Sequence, residues 1–145
     1  MLSEQLKGNI HFLKSVNSWE EAISESATPL LDDGSITPKY VEDMIENVHK
    51  NGPYIVIVPG IAMPHAKNEG GVVKTGISLL KLEEAVPFPE NKKVNLLFTL
   101  AAEDTSGHLD LISDLSSLLI EDEVREKLEQ ANSEEEILDL LQTVE

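Results

Sequence analysis

Four histidines are the residues of this chain best suited to transfer chemistry, because it contains no cysteine. The missing thiols remove disulfides, thiolate metal sites and a cysteine nucleophile together, and they suit a reducing compartment. The histidines stand at positions 11, 49, 65 and 108. His65 ends the run Val58-Pro59-Gly60-Ile61-Ala62-Met63-Pro64, just beyond the most apolar stretch of the chain. There two prolines and a glycine restrict or permit unusual backbone angles, so the ring can be held in one place. Such a ring is a candidate nucleophile; the plainer alternative is a loop histidine that caps polar groups. His108 follows Asp104-Thr105-Ser106-Gly107, where hydroxyls and free amides at a helix start can bind an anion. Equally, Asp104, Thr105 or Ser106 can simply cap that helix. His11 and His49 read as solvated or satisfied surface residues.

Other chemistries lack their signatures. The chain has no phosphate-binding G-x-x-x-x-G-K-[ST] loop, no G-x-G-x-x-G, no G-x-S-x-G elbow and no H-E-x-x-H. No cofactor and no metal are therefore expected.

The elements that must position these histidines are legible in part. Ile10–Val16 reads as a strand. Ser18 with Glu21 forms a capping box, heading a helix to about Leu31 that Asp32-Asp33-Gly34 ends. Thr37-Pro38 opens a second helix, with threonine as N-cap and proline at the first helical position. Its apolar face carries Tyr40, Val41, Met44, Ile45 and Val48, and Asn51-Gly52-Pro53 stops it. Tyr54–Val58 is a β-branched run of the kind buried on both faces. Thr75–Leu82 and Val94–Ala101 are further strands, separated by a turn-rich stretch with Pro87, Pro89 and Asn91. Helical spacing returns from Leu109; a short helix follows Glu121-Asp122-Glu123, and a second capping box at Ser133–Glu136 heads Ile137–Val144. This order predicts one α/β domain over residues 1–145, a three-layer sandwich with a mixed central sheet flanked by helices. A site belongs where strands give way to loops.

Composition narrows the partners. The 145 residues carry a formal net charge of −16, which repels a phosphate duplex, so no nucleic-acid partner is expected. No segment approaches the ~20 apolar residues needed to span a bilayer, and the first residues lack a signal peptide's pattern; a cytoplasmic location is expected. The charge is uneven. Residues 121–145 hold ten acidic and two basic side chains, whereas from Asn47 to Leu82 only Glu69 opposes Lys50, Lys67, Lys74 and Lys81. His65 thus lies in a mildly cationic stretch.

The run Gly60-Ile61-Ala62-Met63-Pro64-His65-Ala66, with Asn51-Gly52-Pro53-Tyr54 upstream, resembles the signature of the mannitol/fructose-type enzyme IIA of the bacterial phosphoenolpyruvate-dependent sugar phosphotransferase system. Its form is closest to the ascorbate-specific branch, and the resemblance covers nearly the whole chain. It implies that His65 accepts a phosphoryl group from the phosphocarrier protein HPr and passes it to a cysteine of enzyme IIB. His108 would assist the phosphorylated ring, with Thr105 or Ser106 as helpers. The membrane component IIC would be met only indirectly. Mannitol and fructose relatives carry an arginine sixteen residues before the active histidine; here that position is His49, and the sole arginine is Arg125. The phosphate clamp of those relatives has no counterpart at that position. A regulatory protein of the same kind, whose phosphorylation state controls binding to a partner protein, is the alternative function.

Overall fold

The computed structural model describes residues 2–145. A five-stranded sheet forms its centre, built from β1 (Ile10–Leu13), β2 (Val56–Val58), β3 (Gly60–Ala62), β4 (Gly76–Phe88) and β5 (Lys92–Ala101). The spatial order is β1-β4-β5-β3-β2. β1 runs parallel to β4, β4 antiparallel to β5, β5 parallel to β3 and β3 antiparallel to β2, so the sheet is mixed, as expected.

Strand alternation gives the sheet two apolar faces. Leu80, Leu82 and Leu97 point into one core, packed under α2 (Trp19–Asp32) and α3 (Pro38–Asn51). Ile77, Leu79, Leu96 and Phe98 point into the other, under α1 (Leu2–Leu6), α4 (Thr105–Leu119), α5 (Asp122–Gln130) and α6 (Glu134–Val144). Helices on both faces make the expected three layers.

Both capping boxes form. Ser18 Oγ accepts from Glu21 N–H and Ser133 Oγ from Glu136 N–H, each at 3.1 Å. Thr37 occupies the N-cap position of α3, with Pro38 in the first turn, but its hydroxyl makes no cap bond; it turns toward Gly71 O instead. A buried hydroxyl chain fixes α2 on the sheet. Ser26 Oγ donates to Ile23 O and therefore accepts from Thr99 at 2.5 Å, while Ser78 donates to Ser26 O. Ser78 and Thr99 are partners across β4 and β5.

Several expectations need correction. The Tyr54–Val58 run is not a strand buried on both faces: only Val56–Val58 is strand, half-buried and at the sheet edge. A continuous apolar run does not distinguish an edge from a centre. The chain reverses at Pro59, where Gly60 takes φ +89°, and returns as β3, which the sequence reading missed. β4 continues through Pro87 to Phe88, so the turn-rich stretch is the end of a hairpin closed at Pro89–Asn91. The helix expected from Leu109 begins at Thr105, and α1 was not anticipated.

Lys81 is the largest departure in charge. It lies buried in β4, and its ammonium donates to the carbonyls of Leu128 (3.0 Å), Glu129 and Ala131 (2.6 Å). These carbonyls lie at the end of α5, where acceptors lack a full set of helical partners, and a cation suits a helix C-terminus.

Candidate functional site

β3 delivers the His65 loop to the end of the sheet where β5 finishes and β4 begins. Main-chain bonds hold the loop at each step. Met63 N–H donates to Ile55 O (2.8 Å), and Leu100 N–H to Pro64 O (2.9 Å). Ala66 N–H donates to the Tyr40 hydroxyl (3.1 Å), which in turn donates to Leu100 O (2.5 Å). Tyr40 therefore ties α3, the loop and β5 together. Its phenol is buried, which pushes its pKa up to about 12 and keeps the hydroxyl protonated. Behind it, Gly71 packs so closely that a Cβ would come within 2.9 Å of the Tyr40 Cβ.

His65 is half-buried, and its Nδ1 lies 2.6 Å from Met63 O. A carbonyl can only accept, so Nδ1 carries the proton and the neutral ring keeps its lone pair on Nε2. Burial lowers the His65 pKa most; the Met63 bond opposes this, and the neighbouring His108 lowers it further. A neutral ring with an available nitrogen at pH 7 is the form a nucleophile requires.

The two histidines singled out from sequence do meet. Their ring centroids lie 5.2 Å apart, with planes at 61°. His108 sits in the first turn of α4, where Asp104 is the N-cap and accepts from Gly107 N–H at 2.7 Å. The capping role weighed for Asp104, Thr105 or Ser106 thus falls to Asp104. Tyr54 completes the aromatic group, edge-on to His65 at 5.8 Å and 87°. Partial burial raises the pKa of its phenol. The sequence reading placed Tyr54 at the start of a strand and in the Asn51-Gly52-Pro53-Tyr54 part of the signature, and gave it no role beside His65.

Beside His108 opens a cavity of about 440 Å³, lined among others by Lys67, Asn68, Glu103, Asp104 and Thr105. Asn68 organises its floor: Oδ1 accepts from the Gly70 and Val72 N–H groups, and Nδ2 donates to Glu103 O. Thr75 and Glu103 bind each other reciprocally through backbone amide and side chain. Thr105 lines the cavity and Ser106 does not.

The other candidates lie elsewhere. His49 packs on Trp19 at 4.9 Å, with its Nε2 3.6 Å from Glu20, so it is engaged with the start of α2. His11 is neither solvated nor satisfied as expected: its Nε2 is buried with no hydrogen-bond partner among the described residues. Of the four lysines around the motif, Lys81 faces α5 and Lys50 pairs with Glu46. Among the described residues no cluster of three or more His, Cys, Asp or Glu side chains could hold a metal. No helix is long and apolar enough to cross a membrane.

Comparison with known proteins agrees with this geometry. The chain is 40% identical over 136 residues to the mannitol-specific cryptic phosphotransferase enzyme IIA component of Escherichia coli K12, covering 93% of this chain and 92% of the relative. It is 34% identical to the ascorbate-specific PTS system EIIA component of the same strain, covering 92% and 88%. Among solved structures, the E. coli mannitol-specific cryptic enzyme IIA superposes with a TM-score of 0.89 at 40% identity, over 97% of each chain. The complex of enzyme IIAMTL and phosphorylated enzyme IIBMTL from E. coli matches with a TM-score of 0.80 at 29% identity, over 93% and 94%. The nitrogen regulatory protein IIA-Ntr of Neisseria meningitidis matches at 0.78 and 27%, over 96% and 97%. With the family model for the phosphoenolpyruvate-dependent sugar phosphotransferase system, EIIA 2, matching residues 6–144, a chain of this fold and this histidine pair belongs to that family of phosphotransferases.

Proposed function

We propose that the chain works as one IIA unit, a phosphocarrier that accepts a phosphoryl group from HPr on His65 and passes it to a cysteine of enzyme IIB. The observation that carries this reading is the His65 tautomer, with Nδ1–H committed to Met63 O and Nε2 available beside His108. In the loading step the N–P bond of the phosphorylated donor breaks as a bond forms to His65 Nε2. The Nδ1 proton stays where it is, and the Met63 carbonyl stabilises the positive charge that the ring acquires. In the onward step the cysteine sulfur attacks phosphorus, the bond to Nε2 breaks, and the ring returns to its neutral state. Catalysis is then mainly a matter of positioning and charge, with His108 donating to a phosphoryl oxygen. Thr105, on the wall of the neighbouring cavity, is the hydroxyl placed to help.

The transported solute in this reading is L-ascorbate or a related acid or polyol, and IIC rather than this chain contacts it. Ascorbate and mannitol both figure in the names of the relatives. HPr and IIB would be met in the cytoplasm.

Incubation with phosphoenolpyruvate, enzyme I and HPr should add one acid-labile phosphoryl group by intact mass, and none to His65→Ala. Absence of the gain in the unmodified protein rejects the reading. Transfer to an ascorbate-type or mannitol-type IIB then identifies the branch. The likeness to nitrogen regulatory protein IIA-Ntr supports a second reading, in which phosphorylation controls binding to another protein. Loading on His65 without onward transfer to any IIB would favour it.

A further inference from the structure

A phosphoryl group on His65 brings about two negative charges into a half-buried site, and the arginine of the mannitol and fructose pattern is replaced here by His49, which is occupied by Trp19 and Glu20. Resting on the phosphocarrier reading, we infer that Lys67 is the cation that meets the phosphoryl oxygens, in the cavity it shares with His108.

The other cations are committed or distant. Arg125 binds Asp122 and Leu119 O, Lys39 pairs with Asp43, Lys50 with Glu46 and Lys127 with Glu123. Lys81 is buried against the end of α5. Lys92 and Lys93 begin β5, at the opposite end from Ala101, and Lys14 follows β1 toward that same end. Lys7 follows α1 and lines a separate pocket beside α6. Lys74 is near but does not line the cavity. Lys67 does line it, and makes no ion pair among the described residues.

Its placement is fixed by its neighbours in sequence. Ala66 is tied to Tyr40, and Asn68 is tied to Gly70, Val72 and Glu103. The backbone at 67 is therefore clamped from both sides, while the side chain is exposed and unengaged. Opposite it, Asp104 is spent on Gly107 N–H and Glu103 on Thr75 N–H. These carboxylates hold the loops, and they also temper the positive field, so that a phosphoryl group is stabilised without being trapped. Lys67 makes and breaks no bond in the transfer and stays protonated throughout; its effect is electrostatic.

Two donors test the inference: phosphoramidate, which reaches the histidine without a docking surface, and phosphorylated HPr. Lys67→Met should slow loading roughly tenfold with both, in kcat rather than KM for HPr. Lys67→Arg should restore most of the rate. The substituted side chain is exposed, and thermal melts matching the unmodified protein would show that the fold is intact. A loss confined to KM with HPr, and absent with phosphoramidate, would assign Lys67 to docking and overturn the inference. So would loading of Lys67→Met at the normal rate with both donors. Loading of His65→Ala, by contrast, would reject the carrier reading itself, so the two failures are distinguishable.

Discussion

His65 and His11 are both partly buried imidazoles on the same sheet, and burial depresses the pKa of each, yet their surroundings differ in one respect. At the His65 loop the Met63 and Ala66 N–H groups and the Pro64 carbonyl have partners, and the ring's own N–H has Met63 O. At the edge strand β1, His11 Nε2 is buried without a partner in hydrogen-bonding geometry; the nearby carbonyl and carboxylate of Glu25 raise the His11 pKa but do not offset its burial. Pro29 contributes to this arrangement. It lies inside α2 and has no N–H to return to the carbonyl four residues earlier, which is that of Glu25. Desolvation thus has opposite uses at the two rings. With a partner on one nitrogen it prepares the other for attack; without one it leaves only a cost that grows with acidity.

The largest effect expected from breaking this contrast is at the partnered histidine. His65→Ala should end phosphoryl loading altogether, whereas His11→Phe should leave the loading rate at neutral pH unchanged; intact mass after incubation with the donor system checks both.

Next in size is Tyr40→Phe, which would give the His65 loop the defect that His11 already has. Deleting the hydroxyl strips Ala66 N–H and Leu100 O of their partner. The expected cost is about 2–3 kcal/mol by urea denaturation, together with slower loading as the loop loosens. Gly71→Ala reaches the same tyrosine from behind and should cost about 1–3 kcal/mol through overpacking.

Acid sharpens the comparison further. Above pH 6.5, the ordinary value for these histidines, each ring is neutral in folded and unfolded chains alike, and stability does not depend on it. Below 6.5 the unfolded chain binds the proton first, so stability falls until the pH passes the lower native pKa. His11→Phe should remove part of that decline, seen as a shallower loss of Tm between pH 6.5 and 5. Loading at His65 should hold to lower pH than a free imidazole would allow.

The smallest effect lies away from both rings. Glu90 holds φ +64° in the hairpin turn, a conformation that glycine adopts without strain. Glu90→Gly should stabilise the protein by about 0.5 kcal/mol and leave loading and its pH profile untouched.

Much of this arrangement was legible in the sequence because the signals were local. Ser18 and Ser133 announce helix starts through side chain to backbone bonds only three residues long, and Pro64-His65 after an apolar run marks a fixed ring at a strand's end. What was not legible depends on what lies across the fold. Tyr40 reads as one more residue of an apolar helix face, and nothing nearby reveals that its hydroxyl meets Ala66 and Leu100. The orphaned nitrogen of His11 depends on α2, packed over β1. β3 was hidden because Pro59-Gly60 is a breaker by local rules, and only pairing with β5 and β2 makes Gly60–Ala62 a strand. Lys67 and Lys81 were indistinguishable as charges in a cationic stretch. Strand pairing turns one toward α5 and leaves the other at the cavity.

That last residue has a consequence for how the chain is assembled as it is made. Lys81 and its acceptor Ala131 are 50 positions apart, so a growing chain completes β4 well before the carbonyls that receive its ammonium exist. Until then the charge is costly to bury and is best left in water, which holds one face of the nascent sheet open. Arrival of the end of α5 removes that penalty. A single lysine thereby ties burial of the β4 face under α5 to the last third of the protein.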